Sequence, residues 1–193
     1  MADELKIYLF RHGQSEFNRD KKFTGWLDIG LTPLGIEQAK IIAEKLRDKD
    51  FQVAYQTRLS RSKDTLIEVL KHHRNVEVLE DDRMIERSYG DLQGNSHKWC
   101  IDTHGKEQFD IWHRSYDVPP PGGESIKMVE DRVLDFIKDL LEKMKRERIS
   151  VAISAHGNSM RPFRRYFERF SVDEMMKLEN PYDEFFEYTV SIE

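Results

Sequence analysis

The chain has one cysteine among 193 residues, Cys100, so no internal disulfide can form and no zinc site can be built on cysteines. It has no apolar run approaching the roughly 20 residues that span a bilayer. Positive charge is not in excess either: 31 Lys and Arg against 36 Asp and Glu give a formal net charge of −5. Nothing therefore draws the whole molecule to nucleic acid or an anionic membrane, and any anion site must be assembled locally. The first residues, Met1 to Lys6, are charged and run into a short strand with no signal-peptide core, so the expected location is cytoplasmic.

What is present is a pattern of alternating elements. Residues 5–10 are short, apolar and β-rich, as in a strand buried within a sheet. Thr32 can cap a helix that opens on Pro33 and carries Ala39, Ile42, Ala43 and Leu46 on one stripe. Strands are expected at 51–56 and 76–79, with a helix at 60–70 that turns Leu66, Ile67 and Leu70 inward. The clearest helix covers 125–146, where Ile126, Val129, Val133, Ile137, Leu140, Leu141 and Met144 share a face. A strand at 149–155, a helix to about 170, a short one capped by Ser171 and a strand at 184–192 follow. Residues 80–124, ending in Pro119-Pro120-Pro121-Gly122-Gly123, read as an irregular segment covering a site. Alternation of this kind predicts one α/β domain over 1–193, with three αβα layers and a mostly parallel sheet. An exposed sheet edge could support a homo-oligomer.

Ligands collect at the carboxyl ends of parallel strands. Arg11-His12 and His156 each follow a predicted strand, so two histidines separated by 144 positions are expected to face one another. An unmetallated histidine attacks phosphorus through one ring nitrogen when a carbonyl holds the other as N–H. His12 is the candidate nucleophile. Phosphoryl transfer spreads negative charge over oxygens that need fixed donors, and arginine binds them in pairs. Arg11 beside the nucleophile, Arg61 at the start of a helix, and His156 across the site fit that need. Glu86 is the candidate proton carrier; the plainer reading is an ion pair with Arg87 or a helix-capping role. His72, His73, His97, His104 and His113 have no metal-ligand spacing, and no metal is expected. Trp26, Trp99 and Trp112 read as packing residues and Cys100 as a small buried hydrophobe.

Arg11-His12-Gly13-Gln14-Ser15, Asn18, Phe23-Thr24-Gly25-Trp26, Glu86-Arg87 with Tyr89-Gly90, the stretch from Trp112 to Pro121, and His156-Gly157-Asn158-Ser159 resemble the motifs of bisphosphoglycerate-dependent phosphoglycerate mutases in the histidine phosphatase superfamily. The resemblance covers nearly the whole chain. It implies a phosphohistidine at His12, a phosphate pocket of Arg11, Arg61 and His156, proton transfer by Glu86, and a hold on the moving phosphate by Asn18. Ser15, Thr24, Gly25, Arg87, Tyr89, Arg114 and Asn158 match positions that line the substrate or the pocket. It also implies 2,3-bisphosphoglycerate as primer, a small phosphorylated substrate and no metal.

Four departures accompany the resemblance. His97 aligns with the family's lysine after the Tyr-Gly loop, and His113 with the first of its paired arginines. The connection after Pro121 is much shorter, which predicts altered subunit contacts. The chain stops at Glu193, where many such mutases continue into a mobile tail, so more water is expected at the site. A phosphatase of the same superfamily is the alternative activity, and a non-catalytic phospholigand-binding protein a third reading.

Overall fold

The computed structural model describes residues 4–192. Five strands form one sheet in the order β3-β2-β4-β1-β5: β1 (Glu4–Arg11), β2 (Val53–Gln56), β3 (Glu77–Glu80), β4 (Val151–Ala155) and β5 (Phe185–Ser191). Every pairing is parallel except that of β5, which runs antiparallel along β1 with Leu9 opposite Phe186. The expected mostly parallel sheet is present.

Side chains alternate across the strands, and each face of the sheet acquires its own core. Ile7, Leu9, Val53, Val151 and Ile153 pack against α6 (Ile126–Glu147) and α7 (Gly157–Glu168) through Val133, Ile137, Leu140, Met160 and Phe163. Tyr8, Phe10, Ala54 and Ala152 face the opposite way, onto α2 (Pro33–Leu46) and α3 (Ser60–Leu70) through Ile42, Leu46, Leu66 and Val69. Thr32 caps α2 by accepting from the Gly35 N–H at 3.0 Å, and Ser125 caps α6 in the same way through Met128. In α3 the inward face differs from the expectation: Val69, with Arg61, Ser62 and Thr65, is buried, whereas Ile67 is 56% exposed. Polar residues near the start of α3 take the inward stripe, Ser62 Oγ donating to Ser154 O and Thr65 Oγ1 accepting from the Gly13 N–H, which rotates Ile67 outward.

Residues 80–124 are more regular than the sequence suggests. They contain two helices, α4 (His97–His104) and α5 (Lys106–Arg114), and two 3₁₀ turns, Asp82–Met84 and Gly90–Leu92. Ser96 caps α4 by accepting from Trp99 N. Only Cys100 and Phe109 of the two helices are buried, so neither carries a wide apolar stripe. With Phe23, Tyr89 and Leu92 they form a third, smaller core, against which Ile101 and Trp112 pack. Trp26 and Trp99 are about 40% exposed, so of the three tryptophans only Trp112 packs as expected.

Two main chains meet beside β1. A Cβ on Gly13 would lie 2.1 Å from the Gly35 carbonyl oxygen, and one on Gly35 would lie 2.1 Å from that of Gln14. The loop after β1 and the first turn of α2 approach this closely because both residues lack a side chain.

Candidate active site

The neighbouring strands β2, β4 and β1 deliver Thr57, His156 and His12 to one end of the sheet. Arg11 is in register with Ala155, and the His12 N–H continues the ladder by donating to Ala155 O at 3.0 Å. The two imidazoles therefore sit side by side, their centroids 4.9 Å apart at 58°. Both are buried.

The His12 Nδ1–H donates to the Gly13 carbonyl at 2.6 Å. A carbonyl only accepts, so Nδ1 carries the proton and Nε2 keeps its lone pair. Burial first, then the Arg61 and Arg11 guanidiniums, hold His12 well below the usual imidazole range, against the opposing effect of the Gly13 hydrogen bond. His156 is lowered likewise, by burial and then by Arg61. Its Nε2 shares a 2.7 Å hydrogen bond with Thr57 Oγ1, while its Nδ1 is buried without a partner.

Arg61 is anchored by donating to Leu27 O at 2.9 Å and Gly25 O at 2.8 Å. Burial brings its pKa down to about 10, which leaves it charged at neutral pH. Arg11 donates to Asn180 O at 3.0 Å and stacks over the Tyr182 ring at 4.1 Å, with its Nε buried and unpartnered. Glu86 lines the cavity, and its Oε1 accepts from Arg87 N at 2.8 Å and Asn158 N at 3.1 Å. One nitrogen of each of His12 and His156 and a carboxylate oxygen of Glu86 lie within 4.8 Å of one another. Those are possible metal ligands by type, but Arg11 and Arg61 beside them oppose a cation and favour an anion.

The cavity over this floor has a volume of about 970 Å³. Of the thirteen residues singled out in the sequence, ten line it: Arg11, His12, Asn18, Thr24, Gly25, Arg61, Glu86, Tyr89, Arg114 and Asn158. His156 lies just beneath, in contact with His12. Ser15 and Arg87 do not reach it. Ser15 caps the short helix α1 (Glu16–Arg19) and donates its hydroxyl to Asn18 Oδ1 at 2.8 Å, so it orients Asn18. Arg87 spends its guanidinium on the carbonyls of Glu124, Trp112 and His113, tying its loop to α5.

Sequence reasoning missed Thr57 and Arg161. Thr57 directly follows β2, and the strand-end rule that found the histidines applies equally to it. Arg161 lies one helical turn beyond Gly157, on the same face, and lines the cavity while donating to Met176 O. On the far wall, His97 and His113 sit 5.1 Å apart by centroid among Phe23 and Phe109. Burial, then His97 and Arg114, bring His113 down to about 4; burial and Lys21 lower His97. Both rings are thus neutral near pH 7.

Comparison with known proteins places this geometry. Residues 7–188 match the histidine phosphatase superfamily (branch 1). A 2,3-bisphosphoglycerate-dependent phosphoglycerate mutase of Parvibaculum lavamentivorans is 42% identical over 89% of this chain and 84% of its own. The phosphoglycerate mutase of Schizosaccharomyces pombe is 37% identical over 90% and 84%. Among solved structures, a putative alpha-ribazole-5'-P phosphatase from Escherichia coli superposes with a TM-score of 0.85 at 21% identity, over 97% of this chain and 91% of that one. Phosphoglycerate mutase from Bacillus anthracis gives 0.81 at 20%, over 99% and 90%. At those identities the likeness concerns the fold. The chain is a member of the histidine phosphatase superfamily, branch 1.

Proposed function

We propose that the protein interconverts 3-phosphoglycerate and 2-phosphoglycerate through a phosphohistidine at His12, primed by 2,3-bisphosphoglycerate and without a metal ion. The observation that carries this reading is the Gly13 carbonyl on His12 Nδ1, which leaves Nε2 nucleophilic within an arginine-lined cavity. The names and identities of the curated relatives support the mutase assignment.

Nε2 of His12 forms the bond to phosphorus while the P–O bond to the donor breaks. Its electron pair stays on the leaving oxygen, which takes a proton from Glu86. Arg11, Arg61 and His156 Nδ1 stabilise the oxygens in transit, His156 as the N–H donor to an anion. In the mutase direction phosphorylated His12 gives its phosphate to one hydroxyl of a monophosphoglycerate, Glu86 takes that proton, the bisphosphate turns over, and the other phosphate returns. Thr24, Gly25, Tyr89, Arg114 and Asn158 hold the remainder of the substrate, and Asn18, oriented by Ser15, the moving phosphate. Such a cycle suits a cytoplasmic pool of phosphorylated metabolites.

A second reading, phosphomonoester hydrolysis, is favoured by His97 and His113, two neutral rings on the wall facing the non-reacting end. A weaker hold there releases the bisphosphate sooner and leaves phosphohistidine to water. Phosphorus NMR of the protein with both phosphoglycerates and the bisphosphate decides between them. Isomerisation outpacing inorganic phosphate supports the mutase; steady phosphate release outpacing isomerisation replaces it with the phosphatase.

A further inference from the structure

Glu86 is carried by a loop whose main chain is fastened from behind by Arg132, with Ser159 Oγ donating to the Met84 carbonyl at 2.7 Å. Arg132, on α6, donates from Nη1 to the carbonyls of Arg83 at 2.7 Å and Ile85 at 2.9 Å, and from Nη2 to that of Glu86 at 3.1 Å. The same guanidinium pairs with Glu124, Nε to Oε1 at 2.9 Å and Nη2 to Oε2 at 3.0 Å. Glu124 Oε2 in turn accepts from Ser88 N at 2.9 Å. The Arg132–Glu124 pair therefore holds residues on both sides of Glu86, the guanidinium before it and the carboxylate after it. The Trp26 indole N–H adds a 2.8 Å bond to the Glu86 carbonyl and links this loop to the segment whose Gly25 carbonyl anchors Arg61. Arg132 does not line the cavity. Its guanidinium is only partly exposed, and its five bonds far exceed what a surface ion pair requires.

We infer that Arg132, with Glu124 as its counter-ion, is a positioning residue that holds the Glu86 carboxyl at the oxygen leaving phosphorus. The inference rests on the proton-transfer role given to Glu86 above. A proton carrier works only within hydrogen-bond reach of its target, and a displacement near 1 Å costs on the order of 10²-fold. The side chain of Glu86 is steadied by two backbone N–H groups, those of Arg87 and Asn158. One belongs to the very loop that Arg132 fastens, so loosening the loop shifts both the carboxyl and its own support. Lysine cannot reproduce the fork, because one ammonium does not reach three carbonyls and a carboxylate in that plane.

The test is the rate of phosphohistidine formation on the full chain from two donors. With 2,3-bisphosphoglycerate the departing alkoxide must be protonated; with p-nitrophenyl phosphate the nitrophenolate leaves unaided. Arg132→Lys is expected to slow the first about 10²-fold and the second by less than about threefold, and Glu86→Gln to show the same split. In Glu86→Gln/Arg132→Lys the rate should fall no further than in Glu86→Gln alone. Should Arg132→Lys fail to fold, Glu124→Gln keeps an acceptor for Ser88 while losing the ion pair, and should show the split at about tenfold. Equal slowing of both donors, or none, by the Arg132 and Glu124 variants while Glu86→Gln shows the split would overturn the inference and leave the role of Glu86 standing. No split in Glu86→Gln removes both.

Discussion

The floor and the far wall of the cavity are built on different principles. On the floor, His12, His156 and Thr57 follow adjacent strands, the His12 N–H donating to Ala155 O and the Thr57 N–H to Ser62 Oγ, with Arg61 braced on two carbonyls. On the far wall, His97 and His113 stand on two short helices and are packed by Phe23 and Phe109 around a small core. Strand ends give a geometry that side-chain changes elsewhere hardly disturb, as bond making at phosphorus demands. A wall standing outside the sheet can change its charge without moving the strand ends, and here it presents two neutral imidazoles beside the exposed Arg114. On the proposed mechanism, chemistry and selection of the substrate are thereby separated.

Substitutions can break this contrast. His12→Ala should lower turnover by at least about 10⁴-fold and abolish acid-labile labelling by radioactive bisphosphate; retained labelling would place the nucleophile elsewhere. Arg61→Lys keeps the charge but loses the fork onto Gly25 and Leu27, so kcat should fall about 10²-fold in steady-state kinetics with little change in KM.

Changes to the far wall act on affinity and stability instead. His113, lowered to about 4 from an unfolded value near 6.5, is fully stabilising above pH 6.5. The unfolded chain binds the extra proton between those values, so the fold loses stability as pH falls toward 4. His12 and His156 act with the same sign, which makes the difference between proteins the useful quantity. Urea denaturation at pH 7 and pH 5 should show His113→Asn losing about 2 kcal/mol less than the parent across that interval. Arg114→Gln, the mildest, should raise KM for phosphoglycerate about tenfold and leave kcat and p-nitrophenyl phosphate hydrolysis nearly unchanged. A large fall in kcat there would show that floor and wall are not separable.

The sequence exposes the floor more fully than the wall for the same reason. A buried strand ending in Arg-His announces both its element and its site, and caps such as Thr32 and Ser125 mark helix starts by local chemistry. α4 and α5 escape because their inward residues, Cys100 and Phe109, are too few to make a stripe, while His97 and His113 face a cavity that exists only after folding. Ile67 misleads because α3 turns Arg61 inward to the cavity and Ser62 and Thr65 inward to the backbone of Ser154 and Gly13. Ser15 and Arg87 fall within the right motifs, yet their polar groups are consumed by Asn18 and by three carbonyls. Only three-dimensional hydrogen bonding separates a residue that touches a ligand from one that supports its neighbour.

The abutment of Gly13 and Gly35 carries this further. The peptide oxygen that fixes the tautomer of His12 belongs to a residue resting directly on α2, with Thr65 Oγ1 accepting from its N–H at 3.1 Å. That helix serves as a backstop of main chain against main chain. Surface replacements along its outer side can accumulate without slackening the clamp, whereas neither glycine can drift alone. Anyone transplanting this His12 loop to another scaffold must bring the matching turn of α2 with it.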